Sequence, residues 1–178
     1  YRSRASFKLI ELNKKFNFLK SNTNLLELGS FPGGWSQVAI KIITSGKIMS
    51  VDIREMDPLK NVEFFKGDIM EKDTKLAIIQ YFKSNLDVII SDMAADTTGN
   101  KSLDSIRTNQ LCADVINFSK DILKPKGVLV TKIFMGEDFL EVKKLAKSIF
   151  KKVNFFKPES SRKESKETYL HCEIIKSL

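Results

Sequence analysis

The stretch LLELGSFPGGWSQVAI, residues 25–40, constrains the fold more than any other part of the chain. A short apolar run ends at Gly29, a Pro-Gly-Gly turn follows, and apolar residues then recur with helical spacing. A strand, a glycine loop and a helix in this order form the first turn of an α/β sheet. There, glycine lets a ligand approach the backbone and the helix N-terminus offers free N–H groups. The stretch therefore predicts a site for a nucleoside-like ligand, with an ordinary strand-to-helix turn as the alternative.

The glycine spacing and the charge of this loop narrow the class of ligand. A dinucleotide site has G-x-G-x-x-G and a P-loop ends in Gly-Lys-Ser/Thr, whereas the order here is G-x-x-P-G-G-W. The spacing disfavours a nicotinamide dehydrogenase. Glu27 precedes the loop and no basic residue lies within it, which favours a ligand without phosphates. S-adenosylmethionine, a nucleoside joined to an amino acid through a sulfonium, is such a ligand.

Composition limits the classes of protein and of chemistry. The 178 residues, 42% hydrophobic and 29% charged, predict one soluble α/β domain covering residues 1–178. No apolar run approaches the roughly 20 residues that span a bilayer, so we expect no membrane partner. Cys112 and Cys172 lack the spacing of a disulfide framework or zinc site, and the single histidine, His171, argues against histidine-based catalysis. We therefore expect no metal, and we place His171 on the surface of a strand.

The net charge of +8 indicates a polyanionic partner, although scattered lysines that only solvate the surface would give the same value. Residues 1–17 predict a basic amphipathic helix that packs on the domain. At its start, Arg2 and Arg4 either contact phosphates or belong to a frayed terminus.

Apolar runs that alternate with helical patterns predict an α/β fold. The predicted strands are 24–28, 47–51, 62–66, 86–90, 128–134, 152–156 and 168–175, and the predicted helices after the first are 35–44, 72–82, 104–123 and 137–150. A basic, serine-rich loop, residues 157–167, lies between the last two strands.

Charged side chains stand where these strands end. Asp52 ends the second strand 23 residues beyond Gly29, close to the roughly 20 expected for an acid that binds ribose hydroxyls. Asp68, after the third strand, is a candidate contact to the adenine ring, and Asp92 follows a strand typical of burial on both faces. Lys132 lies inside another such strand, where a charge is costly unless it is paired or functional. A strand-end lysine that reaches solvent is the alternative.

With the motifs PGGWSQ, SDMA and KPESSRKESKETY and the spaced set Lys8, Asp92, Lys132 and Glu167, the chain resembles the FtsJ/RrmJ family of 2′-O-ribose RNA methyltransferases over essentially its whole length. The resemblance implies a Rossmann-like class I methyltransferase fold, with a seven-stranded, mostly parallel sheet, an antiparallel last strand and helices on both faces. It implies that the four spaced residues form a catalytic tetrad. It also implies S-adenosylmethionine as the cofactor and S-adenosylhomocysteine as the product.

The resemblance extends to the cofactor and the substrate. The cofactor-binding residues expected from it are Gly29, Pro32, Gly33, Gly34, Trp35, Asp52, Ile53, Asp68, Ile69 and Asp92. Within the family the chain is most similar to the type that methylates a uridine ribose in large-subunit ribosomal RNA. The chain differs from the family pattern in the loop after SDMA, where Ala95-Asp96 replaces the Pro-Asn usual in bacteria. In the family this loop lies near the substrate, so the difference affects which RNA is the target. We expect Arg2, Arg4, Arg162, Lys163 and Lys166 to bind the RNA backbone.

Two accounts of Lys132 stay open at this point. As a general base it must be neutral, and lowering its pKa from ~10.4 to ~7 requires about 4–5 kcal/mol. Burial and the charge of Lys8 act in that direction, whereas ionised Asp92 and Glu167 oppose it. Desolvation by bound RNA would then free the base. In the second account Lys132 keeps its proton and positions the reacting oxygen.

Other functions compatible with this pattern are a 2′-O-methyltransferase for tRNA or an mRNA cap, an enzyme for a small molecule, and a non-catalytic RNA-binding module that retains the fold. The expected partner is ribosomal RNA or the large ribosomal subunit, bound by a monomer. The expected location is the cytoplasm for a bacterial source, and a mitochondrion, another organelle or the nucleolus for a eukaryotic one.

Overall fold

The computed structural model describes residues 1–177, which form five helices and seven strands. In chain order these are α1 (Ala5–Phe16), β1 (Leu25–Leu28), α2 (Gly34–Ile42), β2 (Ile48–Asp52), β3 (Glu63–Lys66), α3 (Lys72–Phe82), β4 (Leu86–Ser91), α4 (Lys101–Ile122), β5 (Leu123–Phe134), α5 (Phe139–Ile149), β6 (Phe150–Phe156) and β7 (Glu167–Ile175). Each predicted element is present, with shifted ends. The largest shift is at β5, which begins at Leu123 because Leu123 pairs with Leu86 before residues 124–127 bulge out of register.

The strands of this described part form one sheet in the order β3-β2-β1-β4-β5-β7-β6. Strands β1 to β5 are parallel, and β7 is antiparallel to both of its neighbours. The predicted fold class is confirmed. The chain leaves β1 toward one edge and returns to β4 on its other side, so a crevice opens beyond the carboxyl ends of β1 and β4.

Helices cover both faces of the sheet and give it two apolar cores. Helices α1 and α2 pack on one face, where Leu9 and Leu12 of α1 are fully buried. Helices α3, α4 and α5 pack on the other face. Burying a leucine contributes roughly 2 kcal/mol, so these two leucines fix α1, and with it Lys8, over the sheet. No helix within residues 1–177 is both long and apolar enough to cross a bilayer.

The surface position predicted for His171 is wrong. Its imidazole is 3% exposed and stacks on Phe16 of α1, with ring centroids 4.0 Å apart and planes 3° apart. Burial lowers the pKa of His171, so the ring is neutral at pH 7. Alternation along β7 shows only that neighbouring side chains point to opposite faces. It could not show that a helix covers the face on which His171 lies.

Candidate active site

The four residues predicted as a tetrad come from distant elements and meet beside the carboxyl end of β4. Lys132 Nζ lies 3.2 Å from Asp92 Oδ1 and 3.2 Å from Glu167 Oε1. Lys8 Nζ lies 2.8 Å from Glu167 Oε2. The four side chains are only 7–21% exposed. The structure thus joins them in one ion-pair network, called the tetrad below.

The pairing of β5 with β7 explains this convergence. In the antiparallel register, Lys132 lies opposite Tyr169 and Phe134 lies opposite Glu167. Directly opposed residues share a face, and so do residues two apart along a strand. Lys132, Glu167 and Tyr169 therefore point to the same side of the sheet, toward α1, which places Lys8 next to Glu167.

Tyr169 is a site residue that the sequence analysis missed. Its side chain is fully buried, and its hydroxyl donates to Asp92 Oδ1 at 2.5 Å. Burial, reinforced by the two carboxylates beside it, raises the pKa of Tyr169 well above its ordinary value, so the hydroxyl keeps its proton as a donor. The alternation in Glu167-Thr168-Tyr169 is the signal that could have placed it beside the tetrad.

The pKa values of Lys132 and Glu167 are set by a contest between burial and pairing. Burial lowers the pKa of Lys132, but the charges of Asp92 and Glu167 outweigh it and the pKa lies above its ordinary value. Burial raises the pKa of Glu167, but Lys132 and Lys8 outweigh it and the pKa falls below its ordinary value. At neutral pH Lys132 therefore carries its proton and Glu167 is ionised. This favours the account in which Lys132 acts as a cation.

A cleft of about 320 Å³ lies at the carboxyl ends of β1, β2 and β4. The predicted cofactor residues that line it are Gly29, Asp52, Ile53, Asp68, Ile69 and Asp92. Asp92 belongs to both the cleft and the tetrad, so the cleft opens directly onto the ion-pair network.

The charge of the cleft indicates which ligand fits it. Its lining in the described chain holds four carboxylates, of Asp52, Asp68, Asp92 and Asp96, against one guanidinium, of Arg54. Isoleucine and methionine side chains supply apolar walls. Asp52 is held in place because its carboxylate accepts the backbone N–H groups of Phe31 and Arg54, both at 2.8 Å. A cation that carries hydroxyls and a flat ring fits this lining, as S-adenosylmethionine does, whereas a phosphate would face net negative charge.

The glycines of the loop serve two different contacts. Gly29 has φ +74°, and a Cβ there would lie 2.7 Å from Cγ of Met93 on the cleft wall. Gly33 has φ +118°, and a Cβ there would lie 2.9 Å from a guanidinium nitrogen of Arg2. A Cβ on Gly34 would collide with the hydroxyl of Ser3. The Gly33-Gly34 pair therefore makes room for the N-terminal segment, behind the cleft.

Trp35 also lies behind the cleft. It is 3% exposed, and its indole N–H donates to the carbonyl of Ala5 at 2.7 Å. Its ring lies 5.8 Å from that of Tyr169. Trp35 thus fastens the start of α1 and supports the tyrosine that binds Asp92.

Arg2 holds the loops beside the cleft. Its guanidinium donates to the carbonyls of Pro32 at 3.2 Å, Asp57 at 2.8 Å and Pro58 at 3.2 Å. These contacts tie the glycine loop to the segment that follows β2. Pro32 therefore serves as an acceptor for Arg2, and most of the guanidinium is engaged within the protein.

The other predicted RNA contacts, Arg4, Arg162, Lys163 and Lys166, are exposed. Glu11 of α1 accepts the backbone N–H groups of Glu159 at 2.8 Å and Ser160 at 3.1 Å. The loop between β6 and β7 consequently lies against α1. This loop and the basic N-terminal segment therefore both border the side of the molecule that holds the tetrad. Ser161 in this loop donates to Glu167 at 2.9 Å.

Glu27 is fully enclosed beneath the glycine loop. Its carboxylate accepts from the hydroxyls of Ser36 and of Ser50, the latter at 2.8 Å. Burial raises the pKa of Glu27 to about 7. From the sequence, Glu27 was recognisable only as a charge unfavourable to phosphate, because nothing local showed that it would be buried. Within residues 1–177, no group of three or more His, Cys, Asp or Glu side chains is arranged to hold a metal ion.

Comparison with known proteins is consistent with this geometry. A family model described as FtsJ-like methyltransferase matches residues 1–174. The chain is 43% identical to the ribosomal RNA large subunit methyltransferase E of Pelagibacter ubique, covering 99% of this chain and 87% of that protein. It is 46% identical to the protein of the same name from Rickettsia bellii, covering 96% and 78%. A crystal structure from Plasmodium falciparum, assigned as a ribosomal RNA methyltransferase, superposes with a TM-score of 0.88 at 31% identity and covers 98% of both chains.

Proposed function

The chain belongs to the FtsJ-like methyltransferase family, and from that premise we propose that it methylates the 2′-hydroxyl of a ribose, that of a uridine, in large-subunit ribosomal RNA. The cofactor is S-adenosylmethionine. The observation that carries the proposal is the position of the Lys132–Asp92–Glu167 cluster at the mouth of an acid-lined cleft. A module that only binds RNA has no need of this buried charge network, which is costly to assemble.

Carboxylates and apolar side chains would contact different parts of the cofactor. Asp52, already oriented by two backbone N–H groups, would accept the ribose hydroxyls, and Asp68 would lie at the base. Ile53 and Ile69 would enclose the flat ring. Bound S-adenosylmethionine supplies a methyl group that its sulfonium charge has already activated.

We assign the tetrad the task of aligning the target hydroxyl and receiving its proton. Protonated Lys132 donates a hydrogen bond to the 2′-oxygen and fixes its direction. Asp92 is the tetrad member that lines the cleft, so its carboxylate receives the hydroxyl proton. A hydroxyl oxygen that gains a methyl group becomes strongly acidic, so a carboxylate is a sufficient acceptor. Glu167 and Lys8 hold Lys132 in place and keep its charge balanced.

RNA would approach over α1 and the loop between β6 and β7. Arg4, Arg162, Lys163 and Lys166 are exposed there and would contact phosphates, joined by any N–H group of Arg2 that its carbonyl partners leave free. The bacterial relatives support the cytoplasm as the location, and we propose a monomer that acts on the large subunit or its RNA.

The decisive experiment incubates the protein with labelled S-adenosylmethionine and large-subunit RNA and then maps 2′-O-methyl groups. We expect one predominant methylated uridine. If the methyl group is transferred to tRNA or to a capped RNA instead, that RNA is the substrate. Cofactor binding without transfer to any of these RNAs would identify a non-catalytic module.

A further inference from the structure

A second cleft, of about 600 Å³, lies between α5, β6 and the start of β7. Its apolar floor is formed by Phe139 and Phe155, whose ring centroids are 5.0 Å apart at an angle of 47°. Both rings are half-buried and pack against the core beneath α3, α4 and α5. Met135, 48% exposed, stands at the edge. The proposed roles of the tetrad and the cofactor cleft leave this aromatic surface unused.

The cleft has a basic rim. Lys143 Nζ lies 5.3 Å from the centre of the Phe155 ring. Lys157 donates to the carbonyls of Lys163 and Ser165, which holds its charge at the edge, and Lys166 completes the rim. In the described chain the one acid in the lining is Glu167, whose carboxylate is paired with Lys132 and Lys8. Aromatic faces combined with a positive border are the features by which proteins bind single-stranded nucleic acid.

The cleft adjoins the tetrad through one short segment. Glu167 belongs to both, and its neighbours Lys166 and Thr168 line the cleft. The carbonyl of Lys166 accepts the backbone N–H of Met135 at 2.8 Å, which fixes this segment to the end of β5. Because side chains alternate along β7, Glu167 faces the tetrad while Thr168 faces α5. An RNA strand whose target ribose reaches the tetrad can therefore pass over this edge and place a neighbouring nucleotide in the cleft.

We propose that the Phe139–Phe155 cleft binds an unpaired nucleobase of the RNA substrate, next to the nucleotide that is methylated. The base stacks on Phe155, and its flanking phosphates lie against Lys143 and Lys166. This inference rests on the proposed function, because it takes RNA as the substrate. The basic rim argues for this occupant, since phosphates supply the complementary charge.

The test compares Phe155→Leu with a matched control, Phe118→Leu. Phe118 is also half-buried, packs on the same core and has a lysine, Lys75, with Nζ 5.8 Å from its ring centre. The probes are a fluorescein-labelled single-stranded RNA of about ten nucleotides and the same chain with base-free riboses. We expect Phe155→Leu to weaken binding of the base-containing RNA about fivefold or more and that of the base-free RNA less than about twofold. Phe118→Leu should change neither. Lys143→Ala should weaken both and reduce the salt slope by about one.

Equal affinities of the two Phe→Leu variants for the base-containing RNA would overturn the proposal. The wild-type protein gives a second measurement that does not depend on whether a variant folds. Photocrosslinking with 4-thiouridine RNA should label the peptide that holds Phe155, and labelling confined to other peptides would also overturn it. Methyl transfer to ribosomal RNA is assayed separately. If the wild type transfers no methyl group, the proposed function fails. The crosslink and the difference in affinity between base-containing and base-free RNA still show whether the cleft binds a nucleobase.

Discussion

Glu27 and Glu167 are both buried glutamates on the same sheet, 1% and 6% exposed, yet their pKa values move in opposite directions. The partners found for Glu27 among residues 1–177 are the hydroxyls of Ser36 and Ser50, so burial dominates and raises its pKa to about 7. Glu167 is buried too, but two ammonium groups outweigh burial and lower its pKa. Burial alone therefore does not decide whether a carboxyl group is charged; the charge of its partners does.

This difference separates the tasks of the two regions. Around Glu167 the charges are fixed in pairs, which suits a site that must orient a hydroxyl. Beneath the glycine loop, the Glu27 carboxyl accepts the hydroxyls of Ser36 and Ser50 and has no ammonium partner beside it in the described chain. The nearby charges of Asp92 and Asp52 also raise its pKa. Four predictions test how far the contrast holds.

Lys132→Ala should have the largest effect, because it removes one of the cations that distinguish Glu167 from Glu27. Turnover should fall about 10²- to 10⁴-fold, since the target oxygen loses its positioning group, while cofactor affinity stays within about threefold. Radiolabelled methyl transfer and calorimetric cofactor titration measure the two quantities. The matched control is Lys124→Ala, which removes another β5 lysine, paired with Asp87 at 2.8 Å outside the site. Unchanged turnover in Lys132→Ala would reject its catalytic role.

Glu27→Gln should remove a pH dependence of stability of about 3 kcal/mol. The folded-state pKa of about 7 exceeds the ordinary 4.5, so the stability that this group contributes is complete below pH 4.5 and is lost as the pH rises through 7. The free energy of unfolding of the wild type, relative to Glu27→Gln, should therefore fall by that amount between pH 4.5 and 8, measured by urea unfolding. Glu55→Gln, at a glutamate whose side chain is 76% exposed, should show no such difference. If the difference between wild type and Glu27→Gln were also independent of pH, Glu27 would have the same pKa in the folded and the unfolded protein.

Features that depend on local sequence patterns could be predicted from the sequence, whereas features that depend on tertiary packing could not. Strands, helices and the acids at strand ends are local patterns, so the fold was predictable, and so was the position of Asp52, Asp68 and Asp92 at the carboxyl edge of the sheet. The surroundings of His171 and Arg2 depend on what packs over them, and periodicity along the chain does not contain that information. Alternation could have placed Tyr169 on the same face as Glu167, but its hydrogen bond to Asp92 depends on the tertiary fold. The raised pKa of Glu27 could not be predicted from the sequence either, because it depends on the complete enclosure of this side chain by α2 and β2.

Arg2→Ala should have a moderate effect, and mainly on the cofactor cleft. Losing three bonds to backbone carbonyls frees the loops beside the cleft, so the KM for S-adenosylmethionine should rise about tenfold while kcat changes less than about threefold. Arg2→Lys should restore only part of this, because an ammonium does not reproduce the guanidinium fork. Arg4→Ala is the matched control and should leave the KM unchanged. A shallower salt dependence of RNA binding in Arg2→Ala, with normal cofactor affinity, would show instead that Arg2 contacts phosphate.

The smallest expected effect is that of pH on turnover. Because Asp92 and Glu167 outweigh burial and raise the pKa of Lys132, this residue stays protonated through the neutral range. With RNA and cofactor both saturating, turnover should change less than about twofold between pH 6 and 9. If bound RNA instead lowered that pKa and made Lys132 the base, the rate would rise about tenfold per pH unit until the base is free. Such a rise would mean that the substrate, by displacing water, makes the tetrad behave like the region around Glu27, where burial outweighs pairing.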